Sequence, residues 1–352
     1  MKRHLLKTVG LQSPVNKSRR TLLKAGLGAV GLVSFDPIIR RAIAASAKTF
    51  KARLGHGQAP TTPLHIASLK LSELVKERSK GRLEIQAFPS SQLGTTTEMA
   101  EAVRLGTIDM YGCGNAFIEG IAPLTGVINV PGVFRDSDHA QRATFGFIHT
   151  DVYSKSLAPL GLRPIGYVTN EFRHVTNNKR PIKTLADMKG LKIRVAPSKI
   201  MAETVQALGG SPVPIDWSEL FGALQQGVVD GQENPFIQIH SAKFYEVQRH
   251  LALTAHNWDA YILLVNEKFY QGLDPDLQQI LVQAGKEASD VAWKESAKMT
   301  SELLAKLKGL GMQVTEVDPK EVRNAVKVVW DTWAGRVGPE GKKLIEQIAA
   351  MK

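Results

Sequence analysis

Along this chain the spacing of hydrophobic positions alternates between the two-residue period of strands and the three-to-four-residue period of helices. Residues 49–54 predict a first strand, residues 63–80 a helix with one apolar face, and residues 82–88 a second strand. The next helix begins at a capping box in residues 95–98 and ends at Gly106, since glycine readily takes the left-handed conformation that closes a helix. Strands and helices in this order are typical of an α/β protein.

The same order of elements recurs in the second half of the chain. A strand at residues 192–195, a helix at residues 198–208 and a second capping box at residues 216–219 follow one another. The capped helices of both halves end alike, with Gly-Thr-Ile-Asp at residues 106–109 and Gly-Val-Val-Asp at residues 227–230. The repeat predicts two similar α/β lobes, with a ligand held in the cleft between them.

The division into lobes also follows from length, because about 300 residues exceed what one hydrophobic core usually supports. We expect residues 48–170 to form the first lobe, with residues 260–300 returning to it. Residues 171–259 are expected to form the second lobe, and residues 301–352 a helical region that packs across both lobes.

The last hundred or so residues are predicted to be mainly helical. Helical spacing covers residues 276–300 and 301–309, residues 311–317 predict one more strand, and a further helix starts at Asp318 and runs through Trp333. A long amphipathic helix in this region is expected to bridge the two lobes.

The N-terminus has the pattern of an export signal. Arg19 and Arg20 precede a short apolar stretch at residues 25–33, which is well below the roughly 20 residues that cross a bilayer. Small residues at 45–47 supply a cleavage site, and Ala44 is an alternative. The pattern predicts a twin-arginine signal that sends the folded protein to the periplasm. A basic N-terminal helix that stays on the protein is the alternative.

This N-terminal segment carries most of the positive charge. Residues 1–47 contain nine Lys and Arg residues and one acid, Asp36, so about +4 of the formal +12 charge belongs to residues 48–352. Because that remainder has no basic run, nucleic-acid binding is not expected.

Motifs for catalysis or for metal binding are missing from the sequence. Cys113 is its single cysteine, which leaves no disulfide framework and no thiolate metal cluster. The nine histidines show no metal-ligand spacing, and the chain has no nucleophile elbow, P-loop or dinucleotide fingerprint. We therefore expect no cofactor, no metal and no catalytic residue.

Two arginines fall where a ligand in the cleft would lie. Arg194 ends the strand at residues 192–195, and ligands of open α/β sheets bind outside the carboxyl ends of strands. A guanidinium there matches a carboxylate through two charge-assisted hydrogen bonds, although a surface arginine paired with a nearby acid is the alternative. Arg173 is expected near the crossover between the lobes, where a structural salt bridge, for example to Glu171, is the alternative.

An amide and two aromatic residues are further candidates. Asn234 can donate and accept hydrogen bonds at once, as a hydroxyl or carboxylate requires, or it can be a turn residue before Pro235. Trp217 and Trp258 can stack on the apolar face of a ligand, with core packing as the alternative.

Residues 191–195 (Leu-Lys-Ile-Arg-Val) and residues 230–235 (Asp-Gly-Gln-Glu-Asn-Pro) resemble the solute-binding proteins of tripartite ATP-independent periplasmic (TRAP) transporters, of the dicarboxylate-binding type. Each segment alone is weak, but their joint order is specific and covers almost all of the chain after the signal. The other matching segments are residues 81–85, 88–94, 104–110, 181–191, 223–230 and 243–247.

This resemblance implies a fold and a set of site residues. The fold is a two-lobed, periplasmic-binding-protein-like α/β fold with hinge strands and a long helix spanning both lobes. Arg194 matches the arginine that binds the ligand carboxylate, Arg173 resembles a second arginine that supports it, and Asn234 matches an amide contact. Three further positions are implied to face the ligand: Trp217, His56 and Asn115.

We therefore expect a monomeric extracytoplasmic protein that captures a small organic acid and delivers it to the membrane subunits of a TRAP transporter. A sensory protein for a membrane receptor is one alternative. An exported enzyme that acts on a carboxylate through Asp230, Glu233 or His256 is the other. The ligand stays open among C4-dicarboxylates, sugar acids, keto acids and aromatic acids.

Overall fold

The structure is a computed structural model that describes residues 48–351, and the predicted export signal lies outside the described residues. The strands are β1 (Phe50–His56), β2 (Leu83–Phe88), β3 (Met110–Gly114), β4 (Leu162–Phe172), β5 (His174–Asn177), β6 (Lys192–Val195), β7 (Ser211–Pro214), β8 (Gly231–Asn234), β9 (His250–Leu253), β10 (Trp258–Asn266) and β11 (Gln313–Glu316).

Helices alternate with these strands. They are α1 (Pro63–Arg78), α2 (Thr96–Leu105), α3 (Ser137–Ala143), α4 (Ser154–Leu157), α5 (Lys199–Ala207), α6 (Leu220–Gln225), α7 (Phe236–Ser241), α8 (Glu267–Gln271), α9 (Pro275–Gly309), α10 (Pro319–Val337) and α11 (Pro339–Ala350). A π-helical segment, Thr144–Tyr153, joins α3 to α4. Short 3-10 turns are Asn115–Phe117, Pro123–Asn129, Ala158–Leu160, Leu185–Met188, Trp217–Glu219 and Phe244–Glu246.

The strands form two mixed sheets, which confirms the predicted two-lobed α/β fold. The first sheet has the order β2-β1-β3-β10-β4, with β1 parallel to both of its neighbours and β10 antiparallel to β3 and β4. The second sheet has the order β11-β9-β5-β8-β6-β7, with β6 parallel to β7 and β8 and β5 antiparallel to β8 and β9. Each sheet forms the centre of one lobe.

Two short connections carry the chain between the sheets. Strand β4 of the first sheet leads into β5 of the second through Arg173, and residues 254–257 lead from β9 back to β10. The backbone N–H of Arg173 donates to the carbonyl of Asn257 at 2.9 Å, which ties the two crossings together. The lobe limits expected from the sequence stay a prediction.

The helix α9 spans both lobes as a single element of 35 residues, about 52 Å long. Leu277 and Leu281 pack in the core of the first lobe, and Leu307 packs in a hydrophobic cluster of the second. The sequence pattern had divided this stretch at Ser301, but no residue there breaks a helix, so the two predicted segments are one.

The repeat seen in the sequence has a structural counterpart. The capping box of Thr95 and Glu98 is formed, and Gly106 ends α2 with a φ of 78°. The carboxylates of Asp109 and Asp230 each accept a backbone N–H of the neighbouring strand, at 2.8 and 2.9 Å. Strands β3 and β8 each begin at the residue directly after these aspartates.

Candidate functional site

A small cavity lies between the two sheets, and four of the seven predicted site residues line it. These four are Arg173, Arg194, Trp217 and Asn234. The cavity volume is about 20 Å³, close to the space that one water molecule needs. The lobes are thus closed on each other, and a ligand of several carbon atoms enters only when they separate.

A much larger cavity, of about 690 Å³, lies elsewhere, between α9, β4 and the π-helical segment. Phe145, Tyr167 and Val282 contribute to its lining, and the seven predicted site residues do not. Volume alone favours this cavity, but the interlobe cavity has a buried cation with an unpartnered donor, which we take as the stronger indication of a ligand site.

Arg194 is the most distinctive side chain of the interlobe cavity. It lies on β6 between β7 and β8 and is only 1% exposed. Its Nε donates to the carbonyl of Ile215 at 2.9 Å, while its Nη2 has no partner among the described residues. Burial lowers its pKa to about 10, with Glu233 opposing that shift and Arg173 adding to it, so the group stays charged at neutral pH.

Arg173 is equally buried, but its nitrogens are already engaged. Its Nε and Nη2 donate to the carboxylate of Glu233 at 2.5 and 2.8 Å, and Nη1 donates to Asp259 at 2.9 Å. The sequence had suggested Glu171 as a salt-bridge partner, which is wrong. The carboxylate of Glu171 instead accepts hydrogen bonds from Ser137 and Thr169.

Glu233 stays ionised because of these contacts. Burial alone would raise its pKa, but the charge of Arg173 and the hydrogen bond from His256 outweigh burial and lower the pKa to about 2. The distance between His256 Nε2 and the Glu233 carboxylate is 3.2 Å. Arg173, Glu233 and Asp259 therefore form a charge-paired buried group that joins the two sheets.

Asn234 and Trp217 reach the cavity from the second lobe. Asn234 ends β8, and its Nδ2 donates to Gln232 Oε1 at 2.5 Å. Trp217 lies in a 3-10 turn, and its Nε1 donates to the carbonyl of Gly57 in the first lobe at 3.1 Å. Its indole also packs edge-on against Phe244, with 5.7 Å between ring centres. Trp217 thus combines a core contact with a position in the wall of the cavity.

The structure does not bring His56 or Asn115 to the cavity. His56 Nε2 lies 3.0 Å from His65 Nδ1, and burial together with the charge of His65 lowers the pKa of His56 to about 3. Asn115 donates to Asn129 at 2.7 Å and accepts from the Tyr153 hydroxyl at 3.0 Å. Both side chains are buried in the first lobe, with polar partners of their own.

Trp258 is also away from the cavity, in line with the core-packing alternative. It packs against Phe134 and Trp293, with ring centres 5.3 and 5.8 Å apart. A binding role for Trp258 stays a prediction. In this conformation its side chain does not line the cavity.

Sequence reasoning missed several residues that line the cavity, among them Gln58, Asp259 and Tyr261. Gln58 follows the carboxyl end of β1, so the strand-end argument used for Arg194 would have found it. Its buried Oε1 has no partner among the described residues. Asp259 and Tyr261 lie on β10, which joins the first sheet from a distant part of the chain.

Residues 48–351 contain no cluster of three or more His, Cys, Asp or Glu side chains that could hold a metal ion. None of the helices in this part of the chain combines the length and the apolar character needed to cross a bilayer.

Comparisons with known proteins point to one family. The family model DctP, described as bacterial extracellular solute-binding protein, family 7, matches residues 54–336. The chain is 35% identical over 298 residues to the 2,3-diketo-L-gulonate-binding periplasmic protein YiaO of Escherichia coli. The matched region covers 84% of this chain and 90% of that protein.

Solved structures are similar over most of the described residues. A TRAP periplasmic solute-binding protein from a Polaromonas species with bound D-erythronate has a TM-score of 0.82 at 33% identity, covering 87% of this chain and 99% of that one. Another, from Desulfovibrio salexigens with bound orotic acid, has a TM-score of 0.81 at 33% identity, covering 85% and 97%.

Proposed function

This chain belongs to the bacterial extracellular solute-binding proteins of family 7, the solute-binding subunits of TRAP transporters, and we propose that its ligand is an organic acid with a single carboxylate and several hydroxyl or keto oxygens. The observation that carries the proposal is the buried Arg194, whose Nη2 has no partner among the described residues. A ligand carboxylate that accepts from this guanidinium would satisfy a donor that is otherwise costly to bury.

The charge balance of the cavity supports a single carboxylate. The nitrogens of Arg173 donate to Glu233 and Asp259, and no other Lys or Arg among residues 48–351 lines the cavity. A second ligand carboxylate would meet the acidic side chain of Asp259 without a free cation to pair with, and like charges at short range repel. A C4-dicarboxylate is therefore the less favoured ligand.

The other polar groups suit hydroxyl and keto oxygens. Gln58 contributes an Oε1 without a partner among the described residues, which can accept from a ligand hydroxyl, and Asn234 contributes an amide that can donate to a hydroxyl or keto oxygen. Two relatives support this choice, since 2,3-diketo-L-gulonate and D-erythronate are both monocarboxylates with several oxygen substituents. Other relatives are named for C4-dicarboxylates or carry bound succinate, so the charge balance of the cavity is the main support. Among the ligands left open by the sequence, sugar acids fit best.

Thermal unfolding of the purified protein with a matched panel tests this proposal. D-erythronate carries the carboxylate and the hydroxyls, erythritol the hydroxyls alone, and succinate two carboxylates. A ligand at a hundred times its dissociation constant adds about 2.7 kcal/mol to the free energy of unfolding, which raises the midpoint by several degrees. We expect a shift with D-erythronate or another sugar acid, and none with erythritol.

Two results would count against the proposal. A shift with succinate and with no monocarboxylate contradicts the single-carboxylate ligand but keeps the arginine clamp. If no acid shifts the midpoint even after the protein is unfolded, stripped of prebound ligand and refolded, the clamp itself fails.

Delivery and export complete the proposed function. The protein would pass its ligand from the periplasm to the membrane subunits of the transporter as a monomer, after export by the twin-arginine route. Relatives named as periplasmic binding proteins and the arginine pair Arg19 and Arg20 support this. A sensory role would differ in the partner recovered by pull-down, which would be a receptor rather than a permease.

The exported-enzyme alternative gains no support from the geometry. The carboxylate of Asp230 accepts the backbone N–H of Lys192, and Glu233 is paired with Arg173. Both acids thus have structural partners, and a catalytic role for either is not proposed.

A further inference from the structure

Each lobe presents the N-terminus of a helix toward the other lobe, and in both cases an acidic side chain of the opposite lobe lies at that terminus. Asp216 of the second lobe meets α2 of the first. Glu119 of the first lobe meets α5 of the second. Helix N-termini favour negative charge because their first N–H groups have no partner within the helix.

Asp216 makes the more extensive of the two contacts. Its carboxylate accepts from the Thr96 and Thr97 hydroxyls at 2.5 and 2.9 Å, and from the backbone N–H groups of the same two residues at 3.3 and 3.2 Å. These partners are about 120 positions away in the chain. The same carboxylate also caps its own turn, by accepting from the Ser218 N–H at 3.1 Å.

The charge state of Asp216 suits this role. Burial alone would raise its pKa, but the hydrogen bonds from Thr96, Ser218 and Thr97 outweigh burial and lower it. The carboxylate is therefore ionised at neutral pH and meets the positive end of the α2 dipole as a full charge.

Glu119 makes the reciprocal contact, from the first lobe to the second, and is more deeply buried than Asp216. Its carboxylate accepts from the hydroxyl of Ser198, the residue that caps the N-terminus of α5. Burial raises the pKa of Glu119, while the Ser198 hydroxyl and the backbone N–H of Ile200 in the first turn of that helix oppose the shift. Arg336 Nη1 lies 3.8 Å away and adds a positive charge.

We propose that Asp216 and Glu119 form an interlobe clasp that stabilises the closed conformation and so raises ligand affinity without touching the ligand. Neither side chain lines the cavity, although the charge of Asp216 raises the pKa of Arg194, so the Glu119 variant gives the cleaner test of an indirect effect. Opening the cleft by a few ångströms would break the bonds that these acids make to the opposite lobe and leave the internal structure of each lobe intact. A ligand enters the open form and is retained when the lobes close around it, so contacts that favour the closed, ligand-bound form lower the apparent dissociation constant.

The clasp depends on the proposed function only in those experiments that use a ligand as a probe. Asp216→Asn and Glu119→Gln remove the charges but keep side chains of the same shape, and asparagine remains a good helix cap for the turn at Ser218. Asp136→Asn is the matched control, because Asp136 caps α3 within the first lobe by accepting from the His139 N–H at 2.7 Å.

Titration calorimetry with D-erythronate is the first measurement. A charge at a helix terminus corresponds to roughly a two- to thirtyfold change in an equilibrium constant, so we expect each clasp variant to raise the dissociation constant about fivefold and the double variant more than tenfold. A positioning role predicts the same factor for every acid that the wild type binds, whereas Asp136→Asn should leave each of these dissociation constants unchanged. A double variant within twofold of the wild type overturns the proposal.

Small-angle X-ray scattering without ligand separates the clasp from the proposed function. If the wild type binds D-erythronate, calorimetry decides. If the wild type binds no acid at all, the proposed function fails and scattering decides instead. A larger radius of gyration for the ligand-free double variant than for the wild type then supports the clasp, and equal radii overturn it. Thr97→Val, which keeps both acids, serves as the second variant if the double variant does not fold.

Discussion

Two arginines at the interlobe cavity are both almost fully buried, yet their surroundings are opposite. Arg173 is enclosed by Glu233 and Asp259, whose carboxylates accept hydrogen bonds from its nitrogens at 2.5 to 2.9 Å. Within residues 48–351 Arg194 has one carbonyl partner, Ile215, and its Nη2 has none. The same side chain thus forms a structural cross-link in one place and an unpaired cation in the other. The partners of an arginine, rather than its burial, indicate which one is available to a ligand.

The largest effect is expected where a charge pair is broken. Arg173→Met leaves Glu233 and Asp259 buried without their cation, and removal of one partner of a buried pair lowers the free energy of unfolding by about 3–5 kcal/mol. Urea unfolding measures the change. The control is Arg163→Met, since Arg163 pairs with Glu267 at a partly exposed site, where we expect a loss of about 1 kcal/mol or less. Equal losses in the two variants would remove the distinction between the arginines.

Arg194→Met should show the reverse pattern. The dissociation constant for the ligand rises at least tenfold, because a charge-assisted hydrogen bond of about 1.5–3 kcal/mol is lost. The free energy of unfolding stays the same or rises, since a buried cation with an unpartnered donor is removed. Calorimetry and urea unfolding of the same preparation test both halves. Unchanged affinity would contradict the assignment of Arg194 to the ligand carboxylate.

Low pH should separate the two arginines further, because protonation of Glu233 weakens the pair that it forms with Arg173. Its folded-state pKa of about 2 is depressed from the ordinary 4.5, so its contribution to stability is complete above about pH 4.5 and is lost as the pH falls toward 2. The loss is about 1.4 kcal/mol per pH unit across that window. In Arg173→Met burial is no longer opposed by the arginine, so the pKa of Glu233 rises toward or above its ordinary value and the loss of stability in acid becomes smaller or reverses. Urea unfolding between pH 3 and 6 shows whether the two proteins diverge in this way.

These contrasts also show what the sequence could and could not predict. The capping boxes and the paired Gly-x-x-Asp segments predicted two similar lobes, because caps and turns depend on residues that are close in the chain. Strand-end position predicted Arg194 at the cavity for the same reason. The partners of Arg173 could not be predicted this way, since Glu233 and Asp259 are 60 and 86 positions away.

Side-chain direction accounts for the other differences. Asn115 is buried against Asn129 while its neighbours Gly114 and Ala116 line the cavity, so the segment was identified but not the residue that faces inward. His56 ends β1 beside His65, whereas Gln58, two positions later, reaches the cavity. A one- or two-residue shift of this kind depends on the packing of the whole lobe.

The smallest expected effect concerns that glutamine. Gln58 lies across the cavity from the second lobe with an unpartnered Oε1, so it is the neutral counterpart of Arg194. Gln58→Leu removes one neutral hydrogen bond to a ligand oxygen, about 0.5–1.5 kcal/mol, or roughly a two- to twelvefold rise in the dissociation constant for D-erythronate. Affinity for butyrate, which keeps the carboxylate and lacks hydroxyls, should not change, and this ligand is the internal control for calorimetry. An equal loss for both acids would mean that the substitution disturbs the cavity as a whole, and Arg194 would then remain the one side chain with an assigned contact.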